Sequence, residues 1–211
     1  MDIIARILKS EPAKSAPEEQ CDLCAKPIAQ SHSHLVDLKE RRLMCACRPC
    51  YLVFAPKGAA QGRYKTVPER YLRLKSLTLS DSTWDQFQIP IGLAFFFYNS
   101  VEKKMMAFYP GPAGAMESLL PLDAWNGLVE REPALATMEP DVEAFLLRRE
   151  RNGPQEYFIA PIDKCYELVG EIKLHWKGFD GGQEARGKIE TFFDELQARS
   201  DGSYASDMSR M

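Results

Sequence analysis

Two Cys-x-x-Cys pairs, Cys21 with Cys24 and Cys47 with Cys50, lie 22 residues apart in the stretch CDLCAKPIAQSHSHLVDLKERRLMCACRPC. Two thiols at this spacing reach one ion from a single tight turn, and a structural zinc takes four ligands at the corners of a tetrahedron. Two such turns complete the shell, and the residues between them suffice for a hairpin that brings the pairs together. The same stretch holds five of the six cysteines and two of the three histidines. Crowding of this kind in a reducing compartment marks metal ligands or redox groups rather than disulfide partners. The predicted ligands are therefore Cys21, Cys24, Cys47 and Cys50, and the predicted ion is Zn2+. A single Fe in a rubredoxin-like tetrathiolate site is the alternative that the same donors accept.

Three neighbours complicate the site. On a strand, Cys45 shares a face with Cys47 because side chains alternate with period two. It is thus a possible substitute ligand or a spare thiol, and Cys47 is preferred because it completes the second pair. His32 and His34 also share a face and offer a further ligand, although an exposed loop histidine is the commoner case. Free cysteines in a small core are the plain alternative to the whole assignment, and the matched spacing of two pairs weighs against it. Lys26, Arg41, Arg42 and Arg48 stand close in sequence, where positive charge partly offsets four thiolates around a divalent ion.

The chain has 211 residues, 45% of them hydrophobic, which is enough for one or two packed domains. No apolar run reaches the roughly 18 residues of a membrane-spanning helix, so no membrane insertion is expected. The opening MDIIARILKSEPAKS lacks the basic region and longer apolar core of a signal peptide, which predicts a cytoplasmic protein. Charge is divided: residues 1–80 carry 14 Lys and Arg against 8 Asp and Glu, and residues 81–211 carry 13 against 22. With cysteine usage, this puts a domain change near residue 80. The predicted organisation is a short helix and linker over 1–20, a cysteine-rich metal-binding module over 21–80, an α+β domain over 81–199 and a disordered tail over 200–211.

Periodicity supplies the elements. SHLVDL and RRLMCAC predict two short strands of a hairpin, and APKGAAQGRYKTVPERY predicts a loop. IPIGLAFFFYNS with KKMMAFYPGP predicts two strands around Asn99 and Ser100, and DVEAFLLRRERNGPQEYFIAP two more around Asn152 and Gly153. PLDAWNGLVER, the segment from Asp163 to Gly178, and GKIETFFDELQAR predict helices, the second with Cys165, Leu168, Val169, Ile172 and Trp176 on one side. The expected fold class is α+β: a small N-terminal rubredoxin-like or zinc-ribbon module, then an antiparallel sheet covered by helices.

Other chemistry finds little support. Cys165 and His175 are ten residues apart on one predicted helix, about 15 Å along its axis, which excludes a nucleophile and its base. The glycines of YPGPAGA and DGG lack the Lys-Ser or Lys-Thr sequel of a phosphate loop. No enzyme is predicted. The basic residues Arg41, Arg42, Arg48, Lys57, Arg63, Lys65, Arg70 and Arg73, interleaved with Tyr51, Phe54, Tyr64 and Tyr71, admit nucleic-acid binding as a further reading.

The segments CDLC, HLVDLKERRLMCACRPCYLVF, GRYKTVP, FYPGPAGAMESLLPL, EPDVEAFLLRR and YFIAPIDKCYELVGEIKLHWKGFDGG cover most of residues 21–182. In them the chain resembles a bacterial family of unknown function encoded near uptake nickel-iron hydrogenases. That resemblance implies an accessory or assembly role around a hydrogenase, and it places Cys21, Cys24, Cys45, Cys47 and Cys50 in the metal motif. The expected function is a metal-binding accessory protein that docks to a protein partner, a hydrogenase subunit or assembly factor. A rubredoxin-like electron-transfer protein is the second reading and a nucleic-acid-binding zinc ribbon the third.

Overall fold

The computed structural model describes residues 19–118, 122–150, 155–178 and 181–208. The helix and linker expected over 1–20 lie outside these residues apart from Glu19 and Gln20. The chain divides into two compact units, Met1–Thr66 and Val67–Met211. The charge change near residue 80 is thus distinct from the division of the fold, since Leu74, Leu77 and Leu79 pack in the core of the second unit.

The first unit is built on a hairpin. Strands β1 (Ser33–Asp37) and β2 (Arg42–Ala46) pair antiparallel, with Ser33 opposite Ala46 and Asp37 opposite Arg42. Asp37 makes the turn: its buried carboxylate accepts from the N–H groups of Lys39 at 3.0 Å and Glu40 at 3.1 Å. Such local side-chain bonds compete with strand pairing and favour a turn. Arg63 donates to the same carboxylate from Nη2 at 2.6 Å, and this guanidinium holds Asp37 below the usual carboxylate range.

Helix α1 (Arg48–Phe54) follows β2 directly. The stretch expected as a loop contains strand β3 (Tyr64–Thr66), which adds to the far side of β1 in the order β2-β1-β3. Its three residues carry no apolar alternation, so only the pairing with β1 reveals it. The core of this unit is small: Leu35, Met44 and Ala46 are buried, with Leu23, Tyr51, Phe54 and Tyr64 packed around them.

The second unit is an antiparallel sheet of six strands in the order β4-β9-β8-β5-β6-β7. Four are the predicted ones: β5 (Leu93–Asn99), β6 (Lys104–Gly111), β8 (Glu143–Arg149) and β9 (Gln155–Pro161). The edges β4 (Leu72–Arg73) and β7 (Gly114–Ser118) are additions. Both are short, and neither presents the apolar alternation by which a half-buried strand is read from sequence.

Helices cover both faces of this sheet, and its central strands are correspondingly apolar on both sides. On one face Phe96, Phe145, Tyr157 and Ile159 pack with Phe87, Trp125 and Leu128, which come from the end of α2 (Asp81–Gln86) and from α3 (Leu122–Arg131). The alternate residues point the other way. Phe95 meets Tyr166 of α4 (Ile162–His175) at 5.7 Å, and Phe158 meets Phe193 of α5 (Gly182–Met208) at 5.9 Å between ring centroids. The ion pair between Arg148 and Glu156 sits on this second face, with the guanidinium 4.6 Å from the Phe193 ring centroid.

Two helix ends differ from expectation. Helix α4 stops at His175 rather than Gly178, because Trp176 turns to an extended ψ of 121°. Helix α5 takes in Ser200 and Asp201, which the sequence assigns to a disordered tail. Ser200 is buried, and its Oγ donates to the Leu196 carbonyl at 2.7 Å.

Phe145 is fully buried, with Phe96, Tyr157 and Trp125 between 5.7 and 6.2 Å away. Phe145→Ala leaves a cavity there and is expected to cost about 3–5 kcal/mol. Denaturant unfolding followed by tryptophan fluorescence measures this directly, since all three tryptophans, Trp84, Trp125 and Trp176, belong to the second unit.

Candidate metal centre

The two cysteine pairs sit on two tight turns that β2 brings together. In the first turn the Cys21 N–H donates to the Lys26 carbonyl at 2.9 Å, while the Cys21 carbonyl accepts from Ala25 N–H at 2.8 Å. Ala25 closes the turn in the left-handed region at φ 58°. Asp22 ties this turn to the strand through two bonds: its N–H donates to the Cys45 carbonyl at 2.9 Å, and its Oδ2 accepts from Cys45 N–H at 2.7 Å.

The second turn begins where β2 ends. Cys47 takes the position before the first residue of α1, with φ −69° and ψ 156°, and its carbonyl accepts from Tyr51 N–H at 2.9 Å. Pro49 suits the first turn of a helix because an N–H there has no helical partner to lose. Cys50 then falls inside that turn.

These turns gather Cys21, Cys24, Cys47 and Cys50 so that their sulfurs all lie within 4.8 Å of one another. The Sγ atoms of Cys24 and Cys47 are 3.7 Å apart. A zinc–sulfur bond of about 2.3 Å in a tetrahedral site sets neighbouring sulfurs about 3.8 Å apart. A disulfide needs about 2.05 Å, and all six cysteines are free. Four cysteines are therefore placed to hold a metal ion. Cys21 and Cys47 are buried, Cys50 is half-buried, and Cys24 is exposed.

The four thiols do not share charge equally. Burial opposes ionisation of Cys21, but the N–H groups of Cys47, Leu23 and Cys24 donate to its sulfur and hold its pKa down at about 6. Cys50 is pushed up to about 12, first by its contact with the Cys47 sulfur and then by burial. A divalent cation among them displaces the remaining protons, which couples metal binding to proton release.

Of the basic residues expected near the site, Arg42 faces Asp22 at 3.8 Å and Arg48 lies over the Tyr51 ring. Cys45 and Cys47 fall in different groups of donor atoms. Strand β2 ends at Ala46, and Cys47 follows it with an extended backbone before α1 begins. Cys45 instead gathers with His32 and His34, their donor atoms all within 4.8 Å of one another. The sequence signal for this second group was the shared face of His32 and His34; what it lacked was the register that sets Cys45 opposite His34.

Cys165 is fully buried on α4, and burial pushes its thiol up. His175, at the other end of that helix, has Nδ1 2.8 Å from the Glu171 carbonyl. The glycines of YPGPAGA form the turn between β6 and β7, and Gly182 opens α5. Among the described residues no helix is long and apolar enough to cross a membrane.

Fold and site together define an α+β protein with a four-cysteine cluster in a small N-terminal unit ahead of a helix-covered antiparallel sheet. The chain belongs to a family of unknown function, DUF5947, whose model matches residues 20–200. No curated protein and no solved structure matches it.

Removing Cys21 or Cys50 takes away one corner of the tetrahedron. Cys21→Ser and Cys50→Ser are each expected to lose the ion held by the four sulfurs, as read by elemental analysis and by the thiolate-to-metal charge-transfer bands of the cobalt-loaded protein. Retention of those bands at full intensity in either variant would remove that residue from the ligand set. Cys165, by contrast, is expected to label slowly with a thiol reagent in the native fold, and rapid labelling while the other cysteines hold metal would place it at the surface.

Proposed function

We propose that this protein is a metal-binding accessory factor without turnover of its own, in which a zinc ion held by Cys21, Cys24, Cys47 and Cys50 shapes a docking module. The observation that carries this reading is the closed donor set. Four protein sulfurs fill a tetrahedron and leave no position for a substrate, as in structural rather than catalytic zinc sites. Docking is supported by helix α1, where Leu52 and Val53, two and three residues after Cys50, are 52% and 65% exposed. Apolar side chains offered beside a metal-ordered turn suit the buried centre of a protein interface, and the basic residues around them suit an acidic partner whose approach they speed. The resemblance to a family encoded near nickel-iron hydrogenases makes that partner a hydrogenase subunit or assembly factor.

A second reading, rubredoxin-like electron transfer through a mononuclear iron, is favoured by one feature. Cys24 is exposed, so a metal–thiolate bond there would lie at the surface, where an electron partner can approach. Nucleic-acid binding has less behind it. Arg63 is engaged by Asp37, Arg70 by Glu143 and Arg42 by Asp22, which diverts these cations from phosphate.

Affinity purification of the native chain from cells expressing a nickel-iron hydrogenase operon tests the proposal. A hydrogenase subunit or assembly factor is expected to co-purify in near-stoichiometric amount. Leu52→Asp with Val53→Asp is expected to lose it while keeping the metal, and charge reversal at Arg41, Arg42 and Arg48 to weaken it more at low salt than at high salt. Recovery of the chain alone, with a red iron centre that is reduced and reoxidised reversibly, would replace docking with electron transfer. A salt-sensitive shift on nucleic acid would support the third reading.

A further inference from the structure

The outer face of the β1–β2 hairpin carries a second cluster of metal-ligating side chains. His34 stands directly opposite Cys45 in the register of the two strands. The backbone N–H and carbonyl of Cys45 are both turned to Asp22, so this is the non-hydrogen-bonded kind of antiparallel pair, in which facing side chains come closest. Leu35, Met44 and Ala46 occupy the other face and form the core. His32 lies two residues before His34 and so projects on the same side, with the two ring centroids 4.6 Å apart.

His32 is the most constrained member. Its side chain is only 8% exposed. Nδ1 lies 2.9 Å from the Ala29 carbonyl and 3.5 Å from a Glu19 carboxylate oxygen, so Nδ1 carries the proton and donates it. Nε2 is left as an acceptor, and it is buried without a hydrogen-bond partner. A buried polar atom without a partner requires an explanation, such as an ion or a water. An imidazole with Nδ1–H held by a carbonyl or carboxylate and Nε2 directed elsewhere is the arrangement that orients a histidine as a metal ligand.

We propose that His32, His34 and Cys45 form a second metal site, separate from the four-cysteine centre, that takes a divalent ion of the late first transition row through two imidazoles and one thiolate. Nitrogen and sulfur donors suit such ions, whereas calcium and magnesium require oxygen. The donor atoms already lie within 4.8 Å of one another. Binding replaces the Cys45 thiol proton with a sulfur–metal bond and releases that proton to solvent, while both imidazoles stay neutral, so the loaded site carries a net single positive charge. Three protein donors leave a fourth position for water or an external ligand. The first centre is closed and the second is open, which makes the second the exchangeable one. A cavity of about 320 Å³ beside them is lined by one residue of each group, His32 and Cys47, with Lys26, Ile28, Ala29 and Arg48. This inference rests on the hairpin register and the His32 environment and stands whether or not the docking function is correct.

Titration of the metal-free full-length chain with Co2+ tests it. Wild-type protein is expected to bind two ions per chain, the tighter giving the absorption of a tetrathiolate and the weaker that of a mixed nitrogen and sulfur site. His32→Ala, His34→Ala and Cys45→Ser are each expected to lose the second ion alone and to retain the tetrathiolate bands, which also show that the unit has folded. X-ray absorption on the wild type needs no variant: sulfur-only coordination at one equivalent of zinc should change to mixed sulfur and nitrogen at two. Saturation at one ion with sulfur ligands only would overturn the proposal, as would loss of the tetrathiolate bands in Cys45→Ser, which would assign Cys45 to the first centre.

Discussion

Four converging thiols are the constraint on which the N-terminal unit depends. Among the described residues its buried core has only Leu35, Met44 and Ala46 at the centre, far less than a domain of this size needs to offset chain entropy by apolar burial alone. The cysteine turns make up the difference by joining distant points of the chain. The turn at Cys21 is bonded to β2 through Asp22 and Cys45, and the turn at Cys47 starts α1, so an ion shared by the sulfurs would clamp strand, helix and N-terminal turn together. In small metal domains of this kind the free energy of binding is largely the free energy of folding.

The second unit uses the opposite means. Its sheet carries aromatic and aliphatic side chains on both faces, with Phe96 and Phe145 turned to the layer of α2 and α3, and Phe95 and Phe158 to that of α4 and α5. Burial on both sides needs no ion. It does require that the few polar groups within it be matched, and Arg148 answers Glu156 while its guanidinium lies over Phe193.

The hairpin of the first unit shows how one element serves two purposes. Alternation along β1 and β2 sends Leu35, Met44 and Ala46 inward, and places His34 and Cys45 opposite each other on the outer side with His32 next to them. Cys45 groups with these two histidines, and Cys47 with Cys21, Cys24 and Cys50.

Much of this could be read from the sequence by itself, because the signals are local. The Cys-x-x-Cys spacing marks a tight metal-binding turn wherever it occurs, the apolar runs of β5, β6, β8 and β9 are strands by composition, and the periodicity of α4 and α5 is a property of the chain. What tertiary structure decided are the matters that depend on pairing between distant segments. Strands β3, β4 and β7 exist through the partners beside them rather than through any pattern of their own. The division of the fold falls between Thr66 and Val67 rather than where the charge changes, because long-range packing, and not net charge, determines which residues belong to which core. The same reason applies to the two groups of candidate metal ligands: a count of cysteines and histidines places them in one stretch, and only the register of β1 against β2 sets Cys45 opposite His34.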